Sequence, residues 1–479
     1  MQDPILAIQD LFKTINHSFW DTIHKIPQSG GDRIYFRIQK GNHTWIATFS
    51  LNIKENKTFI YFANHFKDKG LPVPKVLAVN DECTTYIQED VGNTSLLEVV
   101  EKEGKTDHVF SLFKKSLKSL AELQVKGHQG LDYQQCLTSK IFGNQSIMSD
   151  LLYYKYYFLD SLQYPYDKQA LMNEFELLSD QLASKDFNYF LFRDFQSRNI
   201  MVHNDEVYFI DFQGGMQGGL SYDVASLLWQ AKAELSQEWK DQLLAYYIQE
   251  VNKLLPQALN EAAFRKQYNG FVLLRLLQVL GAYGFRGLFE RKAHFLASIP
   301  LGLNNLKNFL ATTDLKKDTP VFASILQWMV SDEVVARFTP PIASEKTALE
   351  VTIHSFSYKK GIPVDPTDNG GGFVFDMRGI LNPGRFDDYK KLSGLDKPVQ
   401  DFLEQKTKMN VFLNSVWDLV DINVEDYLKR GFASLQINFG CTGGQHRSVF
   451  AAEQTARHLR NKYKVKVNLV HTNKENWVK

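Results

Sequence analysis

Hydrophobic and polar positions alternate in the first part of the chain as paired strands require. A helical spacing follows the first pair of strands over residues 58–69, and Gly70 is placed to end that helix. A glycine-containing turn between the first two strands predicts a hairpin. The predicted strands cover residues 33–38, 45–51, 75–79 and 84–88. The first 90 residues therefore predict a small, mostly antiparallel sheet that carries one helix.

The pattern changes twice further along the chain. Residues 106–310 show long amphipathic helical patterns, interrupted by two short strand-like runs at 200–202 and 207–210. After residue 349, strands alternate with helices, which predicts an α/β domain. The predicted organisation is a first domain over 1–311, a linker with room for a helix over 312–348, and a second domain over 349–479.

Composition narrows the class of protein. The 479 residues are 44% hydrophobic, with 55 Lys and Arg against 54 Asp and Glu, which argues against a surface devoted to nucleic acid or anionic membrane. Three widely spaced cysteines predict neither a zinc site nor a disulfide framework, and they fit a reducing compartment. The longest apolar stretch, Phe271–Phe285, is interrupted by Arg275 and is too short for a bilayer. We therefore expect a cytoplasmic protein without a membrane segment.

The pattern Asp194-x-x-x-x-Asn199 precedes a predicted hairpin that ends at Asp211. Phosphoryl transfer to a hydroxyl needs a carboxylate that accepts the proton, and an amide oxygen and a second carboxylate that hold Mg²⁺. Asp194 is the candidate base, and Asn199 and Asp211 are the candidate metal ligands at the spacing of protein kinases. The alternative is that all three are ordinary turn residues.

A glycine-containing loop precedes the first predicted strand. Gly30, Gly31, Asp32 and Arg33 stand where a loop covers nucleotide phosphates, and glycines let backbone N–H groups approach phosphate oxygens. A Gly-Gly pair in a hairpin turn is the simpler interpretation.

Taken together, these motifs and the later run Ser221–Leu227 resemble the aminoglycoside phosphotransferase family over residues 5–310. Within it the chain is most similar to kinases of N-acetylmuramate and N-acetylglucosamine that act on the anomeric hydroxyl in cell-wall recycling. The resemblance implies a protein-kinase-like bilobal α+β fold, ATP and Mg²⁺ as cofactors and a sugar acceptor. It also implies adenine contacts through the backbone around Gln88 and Asp90, and a structural role for Asp223.

Two positions depart from the kinase pattern. The third strand, residues 45–50, lacks the lysine that holds the α- and β-phosphates, and Arg33, Arg37 and Lys54 are the candidate substitutes. Residues 213–219 are rich in glycine where the related sugar kinases carry an acidic residue, and we expect this loop to line the acceptor pocket.

A second candidate site follows the predicted strand 434–439. The run from Gly440 to Ser448 is a glycine-rich turn into a helix, which offers N–H groups and a positive helix end to an anion. Arg447 adds a side chain that clamps phosphate. The same run satisfies Cys-x5-Arg, in which Cys441 would be a phosphatase nucleophile, with the general acid undecided among Asp376, Asp387 and Asp388. A close-packed turn above a buried Cys441 is the simpler alternative.

Residues 350–472 resemble the carboxyl-terminal domain of the RapZ family of RNase adapter proteins, on Lys360–Asp365, Phe375–Arg378 and Gly440–Val449. The resemblance implies an amino-sugar phosphate ligand and contacts with RNA and protein partners. The implied phosphate-binding residues are Thr442, Gly443, Gly444 and Arg447. Gly384 replaces a histidine that contacts the ligand in the family. A candidate basic RNA patch consists of Arg457, Arg460, Lys462, Lys464 and Lys466, for which a solvated helix end is the simpler interpretation.

The sequence thus predicts an α+β kinase-like domain followed by a smaller α/β domain. The first hypothesis is a sugar kinase joined to an amino-sugar-phosphate-binding domain. The second is a regulatory protein in which the kinase half is weak or inactive and the chain reports amino-sugar status to RNA or protein. A kinase–phosphatase fusion is the third.

Overall fold

The computed structural model describes residues 3–26, 33–183, 189–367 and 372–478, with the side chains of 293 and 294 left aside. The chain forms two compact units, Met1–Phe289 with Ser298–Ser331 and Glu290–Ala297 with Asp332–Lys479. The predicted domain boundaries at 311 and 349 remain predictions. Short helices occupy part of the predicted linker.

The strands of the described chain are β1 Thr22–Lys25, β2 Ile34–Lys40, β3 His43–Phe49, β4 Val76–Val79, β5 Thr85–Glu89, β6 Tyr189–Leu191, β7 Ile200–His203, β8 Glu206–Phe209, β9 Met216–Gly218, β10 Glu350–Ser357, β11 Phe373–Asp376, β12 Ser434–Cys441 and β13 Lys466–His471. The α-helices are α1 Pro4–Asn16, α2 Ile53–Asp68, α3 Leu96–Glu103, α4 Asp107–His128, α5 Asn144–Tyr154, α6 Lys168–Leu182, α7 Ser221–Leu228, α8 Gln237–Asn252, α9 Glu261–Tyr283, α10 Ala293–Leu296, α11 Ile299–Thr312, α12 Pro320–Met329, α13 Asp332–Phe338, α14 Lys397–Lys406, α15 Met409–Arg430 and α16 Arg447–Tyr463.

The first unit opens with a five-stranded antiparallel sheet in the order β1-β2-β3-β5-β4. Helix α1 covers one face, where Ile8 and Phe12 pack on Phe36, Ala47 and Ile87. Because side chains alternate along a strand, the next residues face the opposite side of the sheet. That opposite face carries Tyr35, Arg37, Ile46, Thr48, Tyr86 and Gln88.

Helix α2 begins five residues before the predicted start at 58. Asn52 caps it: its side chain accepts a hydrogen bond from the Glu55 N–H at 3.3 Å and donates one to the Glu55 carboxylate at 3.1 Å. Gly70 has φ +71° just after the helix end, as predicted. The earlier start places Glu55 in the first turn of α2.

The rest of the first unit is largely helical, with the hairpin β7–β8 and the two-stranded antiparallel sheet β6–β9 set among the helices. Helix α9 continues through a π-helical turn to Phe289, and this run is long and apolar enough to cross a membrane by length and composition. Of its most apolar window, 61% is buried in the fold, as expected of a core helix. No other run in the described residues passes that test.

The second unit is built on a four-stranded parallel sheet in the order β11-β12-β10-β13. The predicted α/β pattern is therefore confirmed, with helices α14 and α15 between β11 and β12. Central strand β12 pairs with β10 along its whole length, so that Cys441 lies beside Ser357. Helix α16 starts at Arg447, only six residues after β12 ends. This connection contains the second candidate site.

Candidate functional site

The structure brings Asp194, Asn199 and Asp211 together at the mouth of the β7–β8 hairpin. The Asn199 side-chain amide donates to the Asp194 carbonyl oxygen at 2.9 Å. The Ile210 N–H donates to the Asn199 carbonyl at 3.1 Å, which places the two ends of the hairpin side by side. The carboxylates of Asp194 and Asp211 are 46% and 39% exposed, so a ligand can reach both.

Asp223 anchors the loop that carries Asp194. Its carboxylate accepts from the N–H groups of Phe192 at 2.8 Å and Arg193 at 3.0 Å, and from the Gln124 side chain at 3.1 Å. Asp223 is fully buried, and this burial raises its pKa to about 7 even though the hydrogen bonds lower it. The structural role that the resemblance implied for Asp223 agrees with this geometry.

Arg193 has a strained backbone, with φ +82°. Its guanidinium donates to Asp150 at 2.6 Å and to the Tyr222 hydroxyl at 2.6 Å. These contacts, with the Asp223 hydrogen bond to its N–H, hold the residue in the left-handed region. The backbone next to Asp194 is therefore fixed from both sides.

Arg33 joins helix α2 to the predicted metal ligand Asp211. Its Nη2 atom lies 2.8 Å from Glu55 Oε1 and 3.1 Å from Asp211 Oδ1. Gln213 adds a hydrogen bond to the same Asp211 oxygen at 2.9 Å. Burial by itself lowers the pKa of Arg33, but Tyr35, Tyr86 and the two carboxylates raise it overall, so the guanidinium stays charged. Glu55 and Gln213 are partners that the sequence patterns missed.

Thr48 occupies β3 where the pattern of kinases calls for lysine. It is fully buried on the face opposite α1, where its hydroxyl lies beside the Tyr86 hydroxyl. Of the three proposed substitutes, Arg37 instead pairs with Asp90 at 2.7 Å, and Lys54 is exposed at the start of α2. Arg33 is the one that reaches Asp211.

The predicted adenine segment lies at the end of β5. Gln88 is buried on the same sheet face as Thr48, and its Oε1 atom has no partner in the described ranges. The Asp90 carboxylate is already bound by Arg37, so only its backbone is available to a base. Gly30, Gly31 and Asp32 lie outside the described residues, and their predicted role stays a prediction.

The glycines of residues 213–219 serve packing in this structure. A Cβ on Gly215 would lie 2.4 Å from the Phe190 ring, and one on Gly218 would lie 2.6 Å from Leu191. Strand β9, within this segment, pairs with β6. Close packing accounts for these two glycines, and the expectation that the loop lines an acceptor pocket gains no support from them.

The second candidate site is a loop whose carbonyl groups point away from its centre. The carbonyl oxygens of residues 442–445 accept hydrogen bonds, at 2.7–2.9 Å, from donors outside the loop: Ser357, Asn473, Trp477 and Gly394. The backbone N–H groups of five loop residues have no partner among the described residues: Thr442, Gly443, Gln445, His446 and Arg447. Such a ring of donors at a helix start has the geometry of an anion-binding nest.

Arg447 supports the same loop from α16. Its Nη1 atom donates to the carbonyl oxygens of Arg378 and Ile380 at 3.1 and 2.8 Å. Its Nε is buried, its guanidinium also lies beside the Cys441 thiol, and the residue is 4% exposed. Burial lowers the pKa of Arg447, and an anion in the loop would compensate that buried charge.

Cys441 lies beneath the loop and is 2% exposed. Its sulfur contacts the Gly444 N–H and the Ser448 hydroxyl, each at 3.2 Å. Of the proposed general acids, Asp376 pairs with Arg378 at 2.7 Å, and that hydrogen bond lowers the pKa of Asp376. Asp387 is likewise held ionised because its hydrogen bond to Lys390 lowers its pKa. These carboxylates are poorly suited to donate a proton.

The candidate RNA patch is partly engaged within the unit. Lys462 pairs with Asp421 at 2.7 Å, and Arg460 donates to the Val467 carbonyl at 3.0 Å. These contacts fit the helix-end interpretation of the basic residues.

Comparisons with known proteins match both halves of the chain. Residues 22–259 match the family described as "Phosphotransferase enzyme family", and residues 349–475 match the family described as "RapZ C-terminal domain".

The chain therefore joins a phosphotransferase-family domain to a RapZ carboxyl-terminal domain.

Several curated proteins with the name "Nucleotide-binding protein" are similar to part of the chain. One from Shewanella halifaxensis is 38% identical over 120 residues, which are 25% of this chain and 40% of that protein. One from Bacillus cereus is 34% identical over 182 residues, 37% of this chain and 59% of that protein. The chain thus spans about two fifths to three fifths of the length of these relatives.

Solved structures similar to the chain include phosphotransferases. A thermostable mutant of aminoglycoside phosphotransferase APH(4)-Ia is 16% identical with a TM-score of 0.41, covering 64% of this chain and all of that one. Choline kinase LicA from Streptococcus pneumoniae is 13% identical with a TM-score of 0.41, covering 64% of this chain and 99% of that one. The protein-kinase-like fold of the phosphotransferase domain rests on its family match and its own topology.

Proposed function

We propose that the phosphotransferase domain is an ATP- and Mg²⁺-dependent kinase that acts on a hydroxyl of an amino sugar or N-acetylated amino sugar. The anomeric hydroxyl is the first candidate. The observation that carries the proposal is the contact of Arg33 with both Glu55 and Asp211. It supplies the ion pair between strand and helix that kinases need, at the site where the strand lysine is absent.

The residues fit a nucleotide and a metal ion. The buried Gln88 Oε1 is a polar atom with no partner among the described residues, and it lies on the face of the sheet that would receive the nucleotide. Asn199 would offer Oδ1 to Mg²⁺, because its amide nitrogen already donates to Asp194. Asp211 would offer its second carboxylate oxygen. Two protein ligands suit Mg²⁺, which takes further oxygens from phosphates and water.

Asp194 is the proposed base. Its carboxylate accepts the proton of the acceptor hydroxyl as that oxygen bonds to the γ-phosphorus and the bond to the ADP oxygen breaks. Arg33 neutralises charge on the phosphates beside Asp211, which bound Mg²⁺ would also screen. Asp223 and Arg193 keep the Asp194 loop in place.

The test of the kinase assignment is Asp194→Asn. The isosteric amide cannot take the proton, so kcat should fall roughly 100- to 10,000-fold to a residual rate while ATP still raises the melting temperature. A kcat close to the wild-type value in this variant would contradict the role of Asp194.

The proposed function of the RapZ-type domain is to bind an amino-sugar phosphate in the nest of residues 442–447. Five unpartnered N–H groups and the buried Arg447 support phosphate as the ligand group. The domain then senses a metabolite or retains the product of the kinase. Binding of glucosamine-6-phosphate, with none for glucosamine, would support this proposal.

The regulatory hypothesis remains the second candidate, because the nest fits a sensor equally well. It requires a kinase half that consumes no ATP with any sugar, and RNA or protein retained by the full chain. Loss of RNA retention on charge reversal of Lys464 and Lys466 would favour it. Both proposals place the protein in the cytoplasm.

A further inference from the structure

Arg275 of helix α9 is a buried cation beside the proposed base. It is 3% exposed, and its Nη1 atom lies 3.7 Å from Asp194 Oδ1. The same nitrogen donates to the Tyr222 hydroxyl at 3.1 Å and to the Gln278 side chain at 3.0 Å. Its Nε atom is buried without a partner in the described residues. The Arg275 guanidinium therefore lies beside the Asp194 carboxylate oxygens that would accept the proton.

The charge of Arg275 has no dedicated counter-ion of its own. Arg193, its neighbour across Tyr222, is paired with Asp150 at 2.6 Å. The only ion pair that Arg275 makes in the described part of the chain is with Asp194. The Asp194 carboxylate makes no hydrogen bond there either, so Arg275 is its one charged contact. Burying a charged guanidinium costs free energy unless a close counter-ion compensates it. If Arg275 had only a structural role, we would expect a carboxylate within hydrogen-bonding distance of it.

The backbone of α9 is fixed where it presents Arg275. A Cβ on Gly281 would lie 2.9 Å from the Tyr154 backbone, and one on Gly284 would lie 2.1 Å from the Tyr157 carbonyl oxygen. Glycine at both positions lets α9 dock directly on α5 and on the π-helical turn Lys155–Leu159 that follows it. Arg275 therefore lies on a helix that packs closely against α5.

We infer that Arg275 is a positioning residue that fixes the direction of the Asp194 carboxylate toward the acceptor hydroxyl. The inference rests on the proposed kinase function. A guanidinium on one side of the carboxylate leaves the other oxygen to face the acceptor.

The test compares Arg275→Met and Arg275→Lys with the wild-type full chain, first alone and then in the Asp194→Asn background. Misplacing a base by about 1 Å costs roughly 100-fold in rate, so Arg275→Met should lower kcat roughly 10- to 100-fold. The KM for ATP and the rise in melting temperature with ATP should stay unchanged, and lysine should recover part of kcat. In the Asp194→Asn background neither variant should lower the residual rate further.

Lys240→Met is the matched control, because Lys240 is a buried cation that lies over the Trp229 ring at 3.6 Å.

Three results would overturn the inference. The first is a wild-type kcat in Arg275→Met, and the second is the same loss of rate with and without the Asp194 carboxylate. The third is an equal loss in Lys240→Met, which would show a general effect of removing a buried cation. If Arg275→Met does not fold, Arg275→Lys decides, with the same expectation in the Asp194→Asn background. A wild type that transfers phosphate to no acceptor would refute the proposed function itself, and this inference with it.

Discussion

The Arg33 guanidinium lies 2.8 Å from the Glu55 carboxylate, and this pair joins the start of strand β2 to the first turn of helix α2. In protein kinases the corresponding pair uses a lysine of the third strand. Here the third strand offers Thr48, and the cation comes from Arg33, which immediately precedes β2. The absence of a strand lysine therefore does not by itself indicate a lost activity.

Removal of the Arg33 charge should weaken phosphate binding. Charge-assisted hydrogen bonds contribute about 1.5–3 kcal/mol, so Arg33→Met should lower kcat/KM for ATP roughly 10- to 150-fold. Lys54→Met is the matched control, since Lys54 is exposed one residue before Glu55 and should leave the rate unchanged. Steady-state kinetics at varied ATP concentration measures kcat/KM for ATP in both variants. Equal effects of the two variants would argue against the role of Arg33.

Asp223 should make stability depend on pH. Its folded-state pKa of about 7 is above the ordinary value of 3.8, so the folded protein holds a proton that the unfolded chain releases. Stability conferred by that proton is present below about pH 4 and is lost as pH rises through about 7. Asp223→Asn cannot ionise and should lack this loss. Unfolding by urea at pH 5 and pH 8 measures the difference, and parallel pH profiles of variant and wild type would refute the assignment.

The loop over residues 442–447 should respond differently to two neighbouring glycine substitutions. Gly444 has φ +64°, and an added Cβ would lie 3.0 Å from the Ser357 N–H, so Gly444→Ala should disturb the loop and lower affinity for glucosamine-6-phosphate at least tenfold. Gly443→Ala meets nothing within 4 Å and should leave the melting temperature of the ligand-free protein unchanged. Calorimetric titration and thermal melts measure both effects. Equal affinities of Gly444→Ala and the wild type for glucosamine-6-phosphate would contradict the proposal that this loop binds the phosphate group.

Cys441 should act as a buried structural thiol. Cys441→Ser should keep glucosamine-6-phosphate binding, and the wild-type chain should not hydrolyse an aryl phosphate. Hydrolysis that disappears in Cys441→Ser would establish phosphatase chemistry instead and would revive the third hypothesis.

Local patterns were enough for most of the strands and for Gly70 at the end of α2, because each depends on residues close in sequence, but they missed helix α1 and strands β1, β6 and β9. They also singled out Asp194, Asn199 and Asp211, whose catalytic roles stay predictions. They could not choose among Arg33, Arg37 and Lys54. Arg33 immediately precedes β2 and Arg37 lies within it, so the strand alternation places both side chains on the same face. The sequence does not show that Arg37 pairs with Asp90, because this contact depends on how the strands are ordered in the sheet.

Other parts of the site were missed for identifiable reasons. Glu55 was overlooked because the helix was predicted to start at 58, although Asn52 followed by Glu55 is a capping signal. Arg275 contacts Asp194 across 81 positions of sequence, and no local pattern shows such a contact. The glycines near Gly215 were assigned to a pocket because composition alone does not distinguish a binding loop from close packing.

The most direct test of the kinase proposal is ATP consumption with Mg²⁺ by the full chain against N-acetylmuramate, N-acetylglucosamine, glucosamine, galactosamine and an aminoglycoside. Phosphorus NMR of the product locates the phosphate. We expect transfer to an amino sugar by the wild type and only a small residual rate of transfer by Asp194→Asn. No transfer to any acceptor, with ATP still bound, would contradict the kinase proposal and leave the sugar-phosphate loop as the functional centre.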